Sequence, residues 1–172
     1  IPSRINFIDP TVKSLCETWD INKDGEISYY EASLVTSIGT TFKQSKIQSF
    51  DELQYFTSVK DIDANAFESC TQLETIVLPK DITAIGAYAF QNCYNMVELK
   101  IPSSVMYFGN YAFNGCDKLK KVYTYTLEPT TIIEETFAKT IYSTATLYVP
   151  KTSYNNYEYN LEYLSLFVHH LD

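Results

Sequence analysis

Arginine is almost absent from this chain. Arg4 is the only one, and no run of basic residues occurs in 172 positions. Nucleic-acid binding needs clustered cations to neutralise phosphates, so that class is excluded. An anionic membrane surface is disfavoured for the same reason. The balance of 13 Lys and Arg against 21 Asp and Glu, a net charge of −8, points the same way. No apolar run approaches the roughly 20 residues of a transmembrane helix, so this segment is not expected to insert in a membrane. Histidine is scarce. His169 and His170 stand near the C-terminus without neighbouring Cys, His or clustered carboxylates in sequence, and read as a surface pair at a frayed end. No nucleophile elbow, Gly-rich phosphate loop or zinc-type cysteine spacing is present. Glu134-Glu135 could pose as an acid–base pair, but adjacent residues of an extended segment point oppositely. Catalysis is therefore not expected. A starting Met and a hydrophobic signal region are missing too. The chain opens at Ile1 and reads as a processed segment of an exported protein, its signal or lipid anchor lying elsewhere.

Aromatic residues are plentiful, with 15 Tyr and 10 Phe, and many obey a period of 23 residues. Phe67, Phe90 and Phe113 keep this step. So do Cys70, Cys93 and Cys116, then Leu73, Met96 and Leu119, then Ile76, Leu99 and Val122. Gly86 and Gly109, Pro79 and Pro102, and Ala66, Ala89 and Ala112 follow it as well. A period of this length means stacked supersecondary units in place of one globular core. Such an array presents a long face and seldom owns a deep pocket, so the period points towards binding. Four cysteines would allow two disulfides, but three of them occupy equivalent positions. Equivalent side chains point the same way, which is poor disulfide geometry. A ladder of buried, reduced thiols is the better expectation for Cys70, Cys93 and Cys116.

Three regions follow. Residues 1–48 form a helical unit: Asp9-Pro10 reads as an N-cap with Pro at the first helical position. Val12, Leu15, Cys16 and Trp19 then share a helical face. A second helix is expected from about Tyr29 to Ile38, ended by Gly39, with a connector over 40–49. Residues 49–150 hold the array, about five turns with strands at Leu53, Leu73, Met96, Leu119 and Leu147. Each strand has the form Leu-x-x-Ile-x-Leu-Pro, and the terminal proline stops the ladder where the chain turns. The first unit reads as about three residues short between strand and return. In residues 151–172, Tyr154, Tyr157, Leu161, Leu164 and Val168 share a helical stripe, which predicts a capping helix over the last layer.

The motif Ile85-Gly86-x-x-Ala89-Phe90-x-x-Cys93-x-x-Met96-x-x-Leu99-x-Ile101-Pro102 resembles the BspA-like, or Treponema-type, leucine-rich repeat. The Phe67 and Phe113 units match it, except that Phe108 replaces Ile before Gly109 and Tyr125 stands where Pro would fall. The resemblance covers about 100 residues and implies an α/β leucine-rich repeat solenoid. It also implies a secreted or surface-anchored bacterial protein without shared enzymatic residues, several members being adhesins. The expected partners are host matrix or surface proteins, or glycans, met outside the cell or on its outer surface by a monomer. The rival expectation is a structural or docking module of an extracellular assembly or carbohydrate-uptake system.

One stretch carries metal chemistry. Asp20-Ile-Asn22-Lys-Asp24-Gly25-Glu26-Ile27-Ser28-Tyr-Tyr-Glu31 fits the twelve-residue EF-hand loop. Asp20, Asn22 and Asp24 take positions 1, 3 and 5, and Gly25 the sharp turn. Glu26 would offer its carbonyl, Ser28 a hydroxyl directly or through water, and Glu31 a bidentate carboxylate. A hard cation needs six or seven oxygens from a short loop, so Ca2+ is the expected ion. Sensor loops of this kind pair, and so do dockerin half-loops; this chain has one, which favours a structural clip. The other candidate surface is the inner strand face. Alternation places Thr75 and Val77, Glu98 and Lys100, Lys121 and Tyr123 there, with Tyr55 at the start and Tyr148 at the end.

Overall fold

The computed structural model describes residues 3–133, 135–158 and 167–171, with side chains through residue 158. At the N-terminal end, α1 (Pro10–Cys16) starts where the sequence predicts. Asp9 caps it, its Oδ1 accepting from Thr11 N at 2.8 Å, and Pro10 opens the first turn. A 3-10 turn, Glu17–Trp19, leads into the acidic loop. The second helix, α2 (Tyr29–Leu34), opens with a capping box of Ser28 and Glu31. It stops four residues before Ile38 because Val35 turns extended at φ −74 and ψ 120. Ala32, Val35 and Ile38 are buried all the same.

The array has short parallel strands. In chain order they are β1 (Ser49–Phe50), β2 (Asp61–Ile62), β3 (Thr75–Ile76), β4 (Ala84–Ile85), β5 (Glu98–Ile101), β6 (Tyr107–Phe108), β7 (Lys121–Thr124), β8 (Thr146–Pro150) and β9 (Phe167–Leu171). The return strands β2, β4 and β6 form one sheet. On the inner side β1 pairs β3, and β5, β7, β8 and β9 follow one another in a second sheet. A single turn of helix, α3 (Ile141–Thr144), precedes β8, and α4 (Tyr154–Glu158) follows it. This is a leucine-rich repeat solenoid.

The repeated residues explain the stacking. Phe42, Phe67, Phe90, Phe113 and Phe137 form a column, successive ring centroids 5.5, 5.1, 5.4 and 5.2 Å apart and nearly parallel. Such contacts add about 0.5–1.5 kcal/mol each beyond their burial. Beside the column, each repeat thiol donates to the carbonyl of the preceding Phe: Cys70 to Phe42 at 3.0 Å, Cys93 to Phe67 and Cys116 to Phe90, each at 3.2 Å. All four cysteines are free and buried. Gly109 has no room for a side chain, since a Cβ there would lie 2.1 Å from Ala87 N, and one on Gly86 would lie 2.6 Å from Ala64 N. Flanking the Phe corner, Tyr88, Tyr111 and Asn92 hold left-handed φ values of 59, 59 and 60°. A non-Gly residue there costs about 1 kcal/mol or more. For two of them an interlayer hydrogen bond offsets the strain: Tyr88 N donates to Asn110 O, and Asn92 N to Asn114 O.

Details at both ends differ from the expectation. Phe42 stacks on Phe67 and its carbonyl receives the Cys70 thiol, so the supposed connector over 40–49 is already part of the array. The first strand lies at Ser49–Phe50, in register with Thr75–Ile76, and not at Leu53. From Phe50 to Ile62 the first unit is three residues longer than the next, not shorter; a 3-10 turn, Asp51–Tyr55, takes up the excess. Tyr55 therefore leaves the inner face and lies edge-on against Tyr29 at 4.8 Å. At the other end a helix is described over Tyr154–Glu158, and Phe167–Leu171 forms a strand along β8 in place of the last part of the expected helix. Strand pairing covers the edge that β8 would otherwise leave open. Val168 thus belongs to a strand, while Leu161, Leu164 and Glu134 lie outside the described residues. His169 and His170 are part of β9, in register with Tyr148 and Val149, not a frayed end.

Candidate functional site

The inner sheet brings together most of the residues expected on it. Glu98, Lys121 and Thr146 occupy one row, and Lys100, Tyr123 and Tyr148 the next, continued in register by His169. The Tyr123 and Tyr148 rings stack at 4.5 Å and 12°. Lys100 Nζ lies 5.9 Å from the Tyr123 ring centre and 3.2 Å from Glu98 Oε1. That hydrogen bond, and then the charge of Glu98, raise the Lys100 pKa, so its cation is secured at neutral pH. The row is a cation laid against an aromatic pair. The two tyrosines spend ring faces on each other. Thr75 and Val77 sit one layer earlier, both exposed, and β3 does not pair with β5. The expectation missed Thr146 and His169, whose places follow from the longer unit before β8 and from β9. A pairing partner for Tyr148 was the signal, and a helical stripe masked it.

The acidic loop is the second candidate. Gly25, at φ 80°, makes the sharp turn, and its N–H donates to Asp20 Oδ2 at 2.8 Å. Asp24 N donates to both Asp20 Oδ1 at 3.3 Å and Asn22 Oδ1 at 2.9 Å, so these oxygens crowd the same point. Asp24 Oδ1 accepts from Glu26 N. Glu31 is buried, and both its oxygens are engaged: Oε1 with Ile21 N and Asn22 N, Oε2 with Ser28 N and Ser28 Oγ. The Ser28 backbone bond is the chief cause that holds the Glu31 carboxyl below its ordinary range. Arg4 reaches Asp24 at 3.5 Å and Lys13 reaches the Glu26 carboxylate at 2.9 Å. Among the described residues no three His, Cys, Asp or Glu side chains converge as metal ligands. The donors are all hard oxygens of the type calcium takes. Glu31 would have to turn from its capping box to join them.

The helix-loop-helix is fastened to the array by carboxylates. Asp9 Oδ2 accepts from Gln48 N at 2.6 Å and Ser49 N at 3.3 Å. Glu52 Oε1 accepts from Ile8 N, and Asp63 Oδ2 from Ile38 N and Gly39 N.

Residues 36–165 match the BspA type leucine rich repeat region in six copies. The chain belongs to this family. The match begins before Phe42, as the phenyl column requires. Among solved structures, a leucine rich cell surface protein from Faecalibacterium prausnitzii A2-165 is 21% identical, with a TM-score of 0.36. The alignment covers 48% of this chain and 25% of that one, so the chain spans a quarter of that protein's length. No curated protein matches.

Proposed function

We propose that this member of the BspA-type family is a non-enzymatic recognition module of a cell-surface or secreted bacterial protein, and that its inner sheet touches host matrix or surface proteins, or glycans. The stacked Tyr123–Tyr148 pair beside Lys100 carries this reading. Aromatic side chains held rigid by their neighbours lose little entropy on binding and dominate many interfaces. Lys100, Lys121 and Glu98 set orientation and salt dependence more than affinity. Each strand layer adds roughly 5 Å of face, so a single module offers a narrow patch. Binding by one module is weak and gains from display of many copies on a cell. The experiment is to change Tyr123 and Tyr148 to Ala together and measure adhesion of coated beads to a panel of matrix proteins and glycans. Adhesion should fall at least tenfold while circular dichroism stays the same. Unchanged adhesion would move the site to the outer loops or the ends.

The acidic loop supports a second element of the reading. We propose that it binds calcium through Asp20, Asn22, Asp24 and Glu31 side chains, the Glu26 carbonyl, and Ser28 directly or through water. The bound ion would neutralise the loop's carboxylates and hold α1 and α2 together; the lone loop makes it a clip and not a sensor. Calorimetry on chelator-stripped protein should show heat on adding calcium, and Glu31→Gln should weaken it sharply. No heat in the parent protein removes calcium from the account.

A further inference from the structure

The charge of this chain is unevenly spread along the array. Residues 118–127 and 136–157 carry five lysines and no acid, so all 21 Asp and Glu lie elsewhere. These two stretches hold β7 and β8, which are paired neighbours on the inner sheet. Lys118, Lys120 and Lys121 are exposed where β7 begins, and Lys151 is exposed just past the end of β8. Among the described residues no carboxylate forms an ion pair with any of these four. Lys118 Nζ donates to Asn95 Oδ1 at 2.8 Å, a neutral partner that leaves its charge uncancelled. Glu98, beside Lys121 on the neighbouring strand, is taken up by Lys100 at 3.2 Å. Asp117 and Glu128 bracket the first stretch, and Glu128 Oε1 accepts from Asn156 Nδ2 at 3.0 Å. In an acidic chain, the layers of β7 and β8 thus present a basic strip.

One residue on this strip breaks the repeat. Pro79 and Pro102 end the preceding strands and Pro150 ends the next, but β7 is followed by Tyr125. Its N–H donates to Ile101 O at 3.1 Å, which fixes it at the end of the β7 row. Tyr125 is 43% exposed, and among the described residues no other ring packs on it. The core gains nothing from it and the repeat asks for proline. A local rule broken without a packing gain is the mark of a functional position. By alternation Lys121, Tyr123 and Tyr125 share one face, over a length of about 13 Å.

The occupant follows from what the strip offers. Lysine ammonium groups donate hydrogen bonds and accept none, so they select anionic oxygens. The main chain is not on offer. β7 is paired with β5 and β8, and β8 with β7 and β9, so an extended peptide finds no open edge to join. An acidic peptide would also carry its charges on flexible arms that must be ordered on binding. A sulfated sugar carries them on a stiff ring, whose C–H face suits the negative face of an aromatic side chain.

We propose that this strip binds a sulfated polysaccharide. Sulfate groups lie against Lys120 and Lys121 at one end and Lys151 at the other, and a sugar ring lies on Tyr125. The inference rests on the inner-face reading above and narrows its choice between protein and glycan to an anionic glycan. Toward such a polymer the lysines add affinity as well as orientation, because each neutralised sulfate releases counterions.

The probes are a heparin octasaccharide, the same octasaccharide desulfated, a capped octaglutamate and an octathymidylate, each titrated into the 15N-labelled chain at low salt. The heparin octasaccharide should shift the amide signals of Lys121 and Tyr125 saturably, and its affinity should fall as salt is raised. Lys120→Gln with Lys121→Gln should weaken it about tenfold and reduce the salt dependence. Lys23→Gln with Lys60→Gln, which changes the net charge equally at distant sites, should change it less than twofold. Tyr125→Ala should weaken it while leaving the salt dependence as it was, since a ring contact involves no counterion. The desulfated sugar should leave both signals unmoved, and the peptide and the oligonucleotide should bind more weakly. The proposal is overturned if the heparin octasaccharide moves neither signal, or if the two double variants weaken it alike. It is overturned too if octaglutamate or octathymidylate binds as tightly, which would assign the strip to an acidic protein or a nucleic acid. If it is overturned while Tyr123→Ala with Tyr148→Ala still abolishes adhesion, the polysaccharide fails and the inner face stands.

Discussion

The layers built on Phe67, Phe90 and Phe113 and the layer built on Phe42 stack the same ring, yet they are made differently. In the middle, return strands and inner strands both repeat every 23 residues, as Ala84 to Tyr107 and Glu98 to Lys121 show. In the first layer the return strand keeps that step, Asp61 to Ala84, while the inner strand steps by 26, Ser49 to Thr75. The Phe90 layer has a like neighbour on both sides, so any insertion there would have to be matched twice. The first layer has such a neighbour on one side only. On the other it meets α1 and α2, and its extra residues build the turn that places Leu53 in the core and Tyr55 on Tyr29. Periodicity is enforced where both neighbours repeat, and relaxes where one does not.

The sharpest test of this contrast is glycine. Gly109→Ala puts a methyl group into the backbone of the layer below, whereas Gly39→Ala meets nothing within 4 Å. The first should prevent cooperative folding or lower the melting temperature by more than about 10 °C. The second, strained only by its φ of 51°, should cost about 1 kcal/mol. Equal effects in a melting experiment would mean that layer spacing is not set at the glycine row.

Next in size is the phenyl column. Phe90→Ala and Phe42→Ala each remove a fully buried ring and should cost about 3–5 kcal/mol. Denaturant unfolding should show one transition displaced in both variants. If Phe42→Ala leaves the main transition in place and adds a separate early one, the N-terminal layer is an independent unit.

The thiols test the middle layers alone. Burial pushes the Cys116 thiol up to about 12, and Cys93 further, so neither forms thiolate near neutrality. A thiol reagent at pH 8 should find few reactive groups in the native chain and all four after denaturation without reductant. Cys93→Ala, losing the bond to Phe67 O, should cost about 1–2 kcal/mol. A Cys93–Cys116 bridge seen by mass spectrometry would break the ladder.

The smallest effect concerns the junction. For Asp9, burial opposes the charge, but hydrogen bonds from Gln48, Thr11 and Ser49 outweigh it and leave the pKa lowered. Glu31 is lowered too, chiefly by the Ser28 backbone. A carboxyl whose folded pKa is depressed stabilises the fold above its unfolded pKa, and that contribution is lost as pH falls through the folded pKa. Stability should therefore drop below about pH 4. Asp9→Asn should remove about 1 kcal/mol at pH 7 and flatten this drop, as read by the emission of Trp19, which packs on Phe42 and Phe56. An unchanged acid profile would show that Asp9 does not couple the two parts.

The repeat residues declared the solenoid, the buried thiols and the glycine row, because each is a local requirement copied from layer to layer, while the start of α1 was written in Asp9-Pro10 alone. The acidic loop was legible as a donor set, since its oxygens lie within twelve residues; their use for the loop's own N–H groups was not. Tyr123, Tyr148, Lys100 and Glu98 could be named from strand alternation, but their stacking distance could not. What only the tertiary structure decided lies at the ends and where β3 does not pair with β5. Ser49–Phe50 became the first strand because α1 and α2 occupy the space above it. Phe167–Leu171 became a strand because β8 needed a partner, although the Tyr and Leu spacing before it suited a helix. The missing pairing of β3 with β5 has no mark in the sequence, whose 23-residue step runs through it unbroken. Identical neighbours write themselves into a sequence as a period, but contact between unlike parts leaves no such trace, because it depends on surfaces that exist only once both have folded.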